Sequence, residues 1–290
     1  MPSDLPTVLR ERLDHLTDRL REAEGMVHEK HPDGVHDLRV ALRRTRSLLT
    51  TFDKEMGEAT SGRLKEEVRW AGGELSPLRD IEVVHERIGA LLSEQRVELV
   101  LGQVRGRLDD HQRGPRRDAE ERAGRTLESE RWRTLLAQLT EQDGLDPQGT
   151  EDDARKRLRK DWRRMRRRAR RAAATVGDER AHEAALHDVR KAAKRARYAA
   201  ETLGPLFGSD AAAIESAAEA VQQSLGDHRD TLLTRQALRL MGVQAHLDGD
   251  NGFTYGRLHA LEEVAGSRAL VAYEEAHTKA EKPKLRRWLG

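Results

Sequence analysis

The 290-residue chain contains no cysteine. Disulfides, thiolate-held metals and cysteine nucleophiles are therefore excluded. Aromatic residues make up only 3% of it, which leaves few rings on which nucleobases could stack. No apolar run approaches the length of a membrane span, so no membrane partner is expected. No sustained alternation of Val, Ile and Thr argues for strands. The N-terminus, Met1-Pro2-Ser3-Asp4, lacks the basic start and hydrophobic centre of a secretion signal, which makes the cytoplasm the expected compartment. A Walker-type Gly-x-x-x-x-Gly-Lys-Ser/Thr loop is also missing.

Charge is what the chain has in quantity. Charged residues reach 36%, Ala, Leu, Arg and Glu dominate, and together with the missing strand pattern this predicts an all-α protein. The length suits one large domain or two of ordinary size. The formal net charge of +2 understates the electrostatics, because acidic pairs such as Glu120-Glu121 and Glu274-Glu275 lie away from the most basic segments.

The basic segments contain a repeated motif. His36-Asp37-Leu38-Arg39 leads to Arg43, Arg44 and Arg46, and about 150 residues later His187-Asp188-Val189-Arg190 leads to Lys194, Arg195 and Arg197. On a helix, positions +3, +7 and +10 from each His fall within roughly 80° of arc. His36, Arg39, Arg43 and Arg46 thus share one face about 15 Å long, and His187, Arg190, Lys194 and Arg197 share its counterpart. Leu38, Ala41, Leu42, Thr45, Leu48, Leu49 and Phe52 lie mostly on the opposite side, as do Val189, Ala192, Ala193, Ala196, Ala200 and Leu203 in the second copy. An apolar stripe to bury and a cationic stripe without a carboxylate, present twice, predict a duplicated anion site.

A second pair of segments follows: Leu75-Ser76-Pro77-Leu78-Arg79-Asp80 and Leu225-Gly226-Asp227-His228-Arg229-Asp230. Both read as helix stop and start signals. Arg79 and Arg229, in matching places, are further candidates for ligand contact. The helices before the motifs align as well, with Leu9, Leu13, Leu16, Leu20 and Ala23 matching Leu158, Trp162, Met165, Ala169 and Ala172. Their polar faces differ. The first mixes Arg12, Arg19 and Arg21 with Glu11, Asp14, Asp18, Glu22 and Glu24, whereas cations from Arg155 to Arg171 wrap roughly 220° of the second and need acidic neighbours or a polyanion to offset their repulsion. Within that run Arg159, Arg163, Arg166 and Arg170 fall inside roughly 60° of arc and are expected to line one side of a groove.

Breaks are expected near His31-Pro32-Asp33-Gly34, Gly72-Gly73, Gly114-Pro115, Gly144 to Gly149, Gly177-Asp178, Gly204-Pro205, Gly208-Ser209-Asp210 and Asp248 to Gly252. A polar linker at about residues 141–150 would join two repeats, about 1–140 and 150–290.

His-Asp-Leu-Arg-Val-x-x-Arg-Arg-x-Arg, its second copy ending Lys-Arg-x-Arg-Tyr, and the paired Leu-x-x-x-Arg-Asp segments resemble the CHAD family, the conserved histidine α-helical domain. The resemblance covers nearly the whole chain as a single domain of two repeats. It implies two four-helix bundles related by a pseudo-two-fold axis around a basic central groove or pore. It also implies binding of inorganic polyphosphate without catalysis, together with association with polyphosphate granules. The ligand-facing residues would be His36, Arg39, Arg43, Arg46, His187, Arg190, Lys194 and Arg197, joined by Arg79 and Arg229. Tyr198, at +11 in the second copy, has only Ser47 as its counterpart, and the mixed first helix makes the two halves unequal.

Such a site needs multivalent charge pairing with phosphate or sulfate oxygens rather than a nucleophile. His36 and His187 would protonate more readily beside a polyanion, so binding should tighten below neutral pH. A nucleic-acid or general polyanion binder is the alternative, carried by the arginine-rich helix at 155–171. An enzyme of phosphate metabolism is a further class, but the Glu-x-Glu-x-Lys strand motif of triphosphate tunnel domains is absent. Adjacent His and Asp on a helix point about 100° apart and form no dyad; Asp37 and Asp188 are assigned to capping or to pairing with arginines. No two histidines in the motif helices sit at i, i+4 with a carboxylate on their face, so neither a metal nor any other cofactor is expected.

Overall fold

The computed structural model describes residues 4–290, which form ten α-helices and no strand. In chain order these are α1 (Leu5–His28), α2 (Gly34–Thr51), α3 (Glu58–Glu74), α4 (Ser76–Ser93), α5 (Val104–Glu128), α6 (Glu130–Glu141), α7 (Glu151–Ala173), α8 (Glu179–Thr202), α9 (Gly204–Leu247) and α10 (Phe253–Ala280). Short 3-10 turns occupy Val97–Leu99 and Pro283–Leu289.

The apolar stripes read from the sequence are the ones that are buried. Leu9, Leu13, Leu16 and Leu20 of α1, Leu158, Trp162 and Met165 of α7, and the apolar sides of α2 and α8 all join one large core. A smaller core is enclosed by α4, α5, α9 and α10, through Ile88, Leu92, Leu108, Leu238, Met241, Tyr255 and Leu258. Each core draws helices from both halves of the chain, so neither half buries its apolar surface by itself.

Between the cores the long helices change character. The apolar stripe of α9 stops at Leu225 and resumes at Leu238, and that of α10 stops at Leu258 and resumes at Tyr273. In the gap lie the buried polar residues His228, Thr231, Thr234 and Glu262. Arg87 Nε donates to Glu262 at 2.6 Å, and His228 Nε2 lies 2.8 Å from a Glu183 carboxylate oxygen. Except for the Thr234 hydroxyl, which is buried without a partner, this hydrogen-bonded layer avoids the cost of burying unpaired polar groups. The candidate site lies beside it.

Three expected breaks are not breaks. Gly72-Gly73 lies inside α3, whose end is at Leu75, and Gly114-Pro115 lies inside α5. Packing of Ala119, Ala123 and Leu127 holds α5 together despite the proline. Leu225-Gly226-Asp227 lies within the helical stretch of α9 that follows Gly208, and it is at Gly208 (φ 49°, ψ −123°), one of the expected breaks, that the helix is interrupted by a positive-φ conformation suited to glycine. The segments at residues 29–33 and 142–150 carry no helix. After the second of these, α7 opens with a capping box in which Thr150 and Asp153 satisfy each other's backbone amides.

Candidate functional site

The site is built on α2 and α8, which pack directly against each other. Each helix buries its apolar side in the large core, which fixes the rotation of the other side. The Asp of each motif is then tied to the helix before it: Asp37 lies 3.2 Å from Arg19 on α1, and Asp188 lies 3.0 Å from Arg168 on α7. These are the arginine pairs anticipated for both residues.

With the rotation fixed, the +3 arginines reach the following segments. Arg39 donates to the Ser76 carbonyl at 3.2 Å and to its hydroxyl at 3.0 Å, and lies 3.7 Å from Asp80. Arg190 packs on Gly226, where a Cβ would stand 3.3 Å from its guanidinium nitrogens. Gly226 therefore accommodates Arg190 rather than ending a helix, and Ser76 performs the corresponding contact by hydrogen bonding. Arg229 donates to His187 Nδ1 at 3.2 Å, whereas Arg79 is drawn toward Glu82 and Glu86 on its own helix.

Lys194 marks the convergence of the two copies. Burial, followed by the charges of Arg43, Arg190, Arg39 and Arg229, lowers its ammonium pKa from 10.5 to about 7. Those arginines come from α2, α8 and α9, so the copies form one cationic surface. Burial also lowers the pKa of Arg39, Arg190, His36 and His187, with Arg79 adding to the effect at His36 and Arg229 at His187. Asp230 is pushed up by burial, against the opposing pull of Arg190 and Arg87. Asp80 beside Arg39 and Asp230 beside Arg190 offset only part of this positive charge, and such concentration is characteristic of binding sites.

Tyr198 joins the two helices. Its ring is buried, its hydroxyl accepts a 3.0 Å hydrogen bond from Arg43 Nε, and Arg44 and Arg197 lie over the ring at 5.6 and 5.8 Å. Arg197 is further paired with Glu219 at 2.8 Å, so it stands at the margin of the surface. Arg46 is exposed beside Arg39 and Arg43. The +8 arginines cross between the halves: Arg44 lies 3.3 Å from Glu201 on α8, and Arg195 Nε donates to the buried Asp161 on α7 at 2.8 Å while its other nitrogen reaches the Thr50 carbonyl.

The arginine-rich helix is placed differently from the expectation. Arg166 Nε donates to Glu281 at 2.7 Å and Arg159 lies beside Gly290, so these two turn toward the segment after α10. Arg163 and Arg170 are exposed. None of the four is among the charges that act most strongly on Lys194, Arg190 or Arg39. The reason is rotational: burial of Leu158, Trp162 and Met165 turns Arg157, Asp161, Arg164 and Arg168 toward α2 and α8 instead. Much of the repulsion within α7 is offset by its own neighbours, through Arg155 with Glu151, Lys156 with Asp152, and Arg157 with Glu55.

Arg69 on α3 was not anticipated, because it is not duplicated: the matching position in the second half, six residues before Leu225, is Glu219. It lines a cleft of about 330 Å³ together with Arg39, Arg43 and Arg46. A second cleft of about 280 Å³ contains His187, Arg190, Arg229, His228 and Glu183. No cluster of three or more His, Asp or Glu suited to a metal ion occurs among the described residues, and no helix among them is long and apolar enough to cross a membrane.

Comparison with known proteins settles the family. The signature of the CHAD domain matches residues 7–239. The chain belongs to the CHAD domain family. Two uncharacterized proteins of Mycobacterium tuberculosis, from strains CDC 1551 and H37Rv, are each 34% identical over 255 residues, covering 86% of this chain and 48% of theirs. This CHAD chain thus spans about half the length of the curated relatives it matches. Among solved structures, PptA from Streptomyces chartreusis superposes with a TM-score of 0.73 at 21% identity, over 95% of this chain and all of that one. The CHAD domain from the plant Ricinus communis superposes with a TM-score of 0.64 at 23% identity, over 99% and 92%. Both likenesses concern the fold.

Proposed function

We propose that this CHAD protein binds inorganic polyphosphate, or related phosphate and sulfate polyanions, on the shared surface of α2 and α8, without catalysis, and that this binding associates it with polyphosphate granules. The observation that carries the reading is the position of Lys194, half-buried and within the field of Arg39, Arg43, Arg190 and Arg229. Guanidinium groups pair bidentately with phosphate oxygens, and a chain of phosphates supplies many such groups at short spacing. Counterion release adds a strong fall of affinity with salt, as for nucleic acids.

Calorimetric titration with long-chain polyphosphate, duplex DNA and single-stranded RNA at near-physiological salt tests it, using the wild type and an Arg39→Asp, Arg190→Asp double variant. Tight polyphosphate binding that the variant loses is expected. A parallel assay for released phosphate should stay at background; release would make the protein an enzyme and direct attention to the His228–Glu183 pair.

A second reading, general polyanion or nucleic-acid binding, is favoured by one feature. Lys160, Arg163, Arg167, Arg170 and Arg171 are exposed on α7 and have no ion-pair partner among the described residues. Equal binding of all three polymers, unaffected by the double variant but lost on neutralising these five, would support it.

A further inference from the structure

We propose that the cleft between α2 and α3 is an end-group subsite that takes the terminal phosphate of a polyphosphate chain, with Arg69 as a binding residue. This rests on the polyphosphate reading above and adds the place of a chain end to it. Arg39, Arg43 and Arg46 form one wall of the cleft and Arg69 stands opposite, while no carboxylate lines it. Gly72 and Gly73 leave its α3 side open, since a Cβ at either position would meet nothing within 4 Å. Arg69 has a partner in Glu66 at 2.7 Å, but both side chains are more than half exposed, at 62% and 51%. Such a surface pair is weak and yields readily to a phosphate.

The corresponding cleft around His187 and Arg190 has a different charge. It brings only Arg190 and Arg229 as guanidinium groups and includes Glu183, which faces His228. The two ends of the surface are therefore unequal, one lined by four arginines with only Asp80 at its edge, 3.7 Å from Arg39, the other by two arginines and a carboxylate. A linear polyphosphate has two identical ends, and both differ from its interior. Each internal phosphate carries one charge, whereas the terminal group has a second ionisation near neutrality, with a pKa of about 6 in simple phosphate monoesters. The extra charge belongs where the arginines are densest. Arg39 and Arg43 belong both to this cleft and to the group around Lys194, so a chain anchored by its end at Arg69 continues over Lys194 toward Arg190 and Arg229.

Linear tripolyphosphate and cyclic trimetaphosphate provide the test, because both contain three phosphates and only the first has chain ends. Calorimetric titrations would compare the wild type, Arg69→Ala, Gly73→Asp and, as a control for general loss of charge, Arg113→Ala on the exposed side of α5. Arg69→Ala and Gly73→Asp should weaken the linear ligand about tenfold, the loss expected for one charge-assisted contact, and leave the cyclic one within about twofold, while Arg113→Ala changes neither. Gly73→Asp introduces a carboxylate into open space, so its effect does not depend on disturbed packing. An equal loss for both ligands, or no loss for either, overturns the end-group subsite. Long-chain polyphosphate separates the two levels: no binding by the wild type sinks the underlying reading, whereas binding abolished by Arg190→Asp with an unchanged linear-to-cyclic ratio in Arg69→Ala sinks only the subsite.

Discussion

The guanidinium of Arg190 lies against the backbone of Gly226, one helix away, so closely that a Cβ there would stand 3.3 Å from two of its nitrogens. This contact aims the arginine at the surface shared with α2, and the Nε of Arg190 is buried without a partner. Gly226→Ala should favour α9 by up to about 1 kcal/mol of helix propensity, yet push the guanidinium aside. Unchanged or higher thermal stability with a severalfold loss of polyphosphate affinity is expected in parallel melting and calorimetric experiments. Unchanged affinity would leave Gly226 a packing residue alone.

Lys194 costs stability at neutral pH. The folded state releases its proton near pH 7 and the unfolded chain near 10.5, so between those values the unfolded chain holds more protons and stability rises with pH. Lys194→Met should raise the melting temperature at pH 7 and flatten its dependence between pH 7 and 10, while weakening polyphosphate binding. A variant less stable than wild type at pH 7 would contradict this assignment.

Binding should also take up protons. His36, His187 and Lys194 are all depressed in the free protein, chiefly by burial, and a bound polyanion raises all three. Affinity is expected to increase as pH falls from about 8 toward 6, and titrations in buffers of different ionisation enthalpy would reveal the uptake directly. A flat pH profile, unaltered by His36→Ala and His187→Ala, would make the histidines structural.

Asp161 has a structural duty. Only 1% exposed, it accepts from Arg195 Nε and from the Thr51 hydroxyl, joining α7, α8 and α2. Asp161→Ala leaves Arg195 without its counter-charge and should destabilise the fold by roughly 3–5 kcal/mol, measurable by urea denaturation. An unfolding midpoint close to wild type would show that solvent satisfies Arg195 unaided.

Helical content, the buried stripes of α1, α2, α7 and α8, and the grouping of His36 with Arg39, Arg43 and Arg46 and of His187 with Arg190, Lys194 and Arg197 were legible from residue spacing, because a helix's period is local. The recurrence of Ser76 and Gly226 at matching distances from the motifs was also legible, but as helix ends; their contacts with the +3 arginines were decided by packing. Tertiary structure decided the rest. Which face of α7 turns inward depends on how Trp162 and Met165 pack, and that rotation sent Arg159 and Arg166 toward the segment after α10. Whether a glycine pair breaks a helix depends on its surroundings, so Gly72 and Gly73 form an open wall of a cleft and bring Arg69 into view. The depressed Lys194 amine arises only when α2, α8 and α9 bring arginines from both halves of the chain around it, a many-body electrostatic effect that no spacing within one helix encodes.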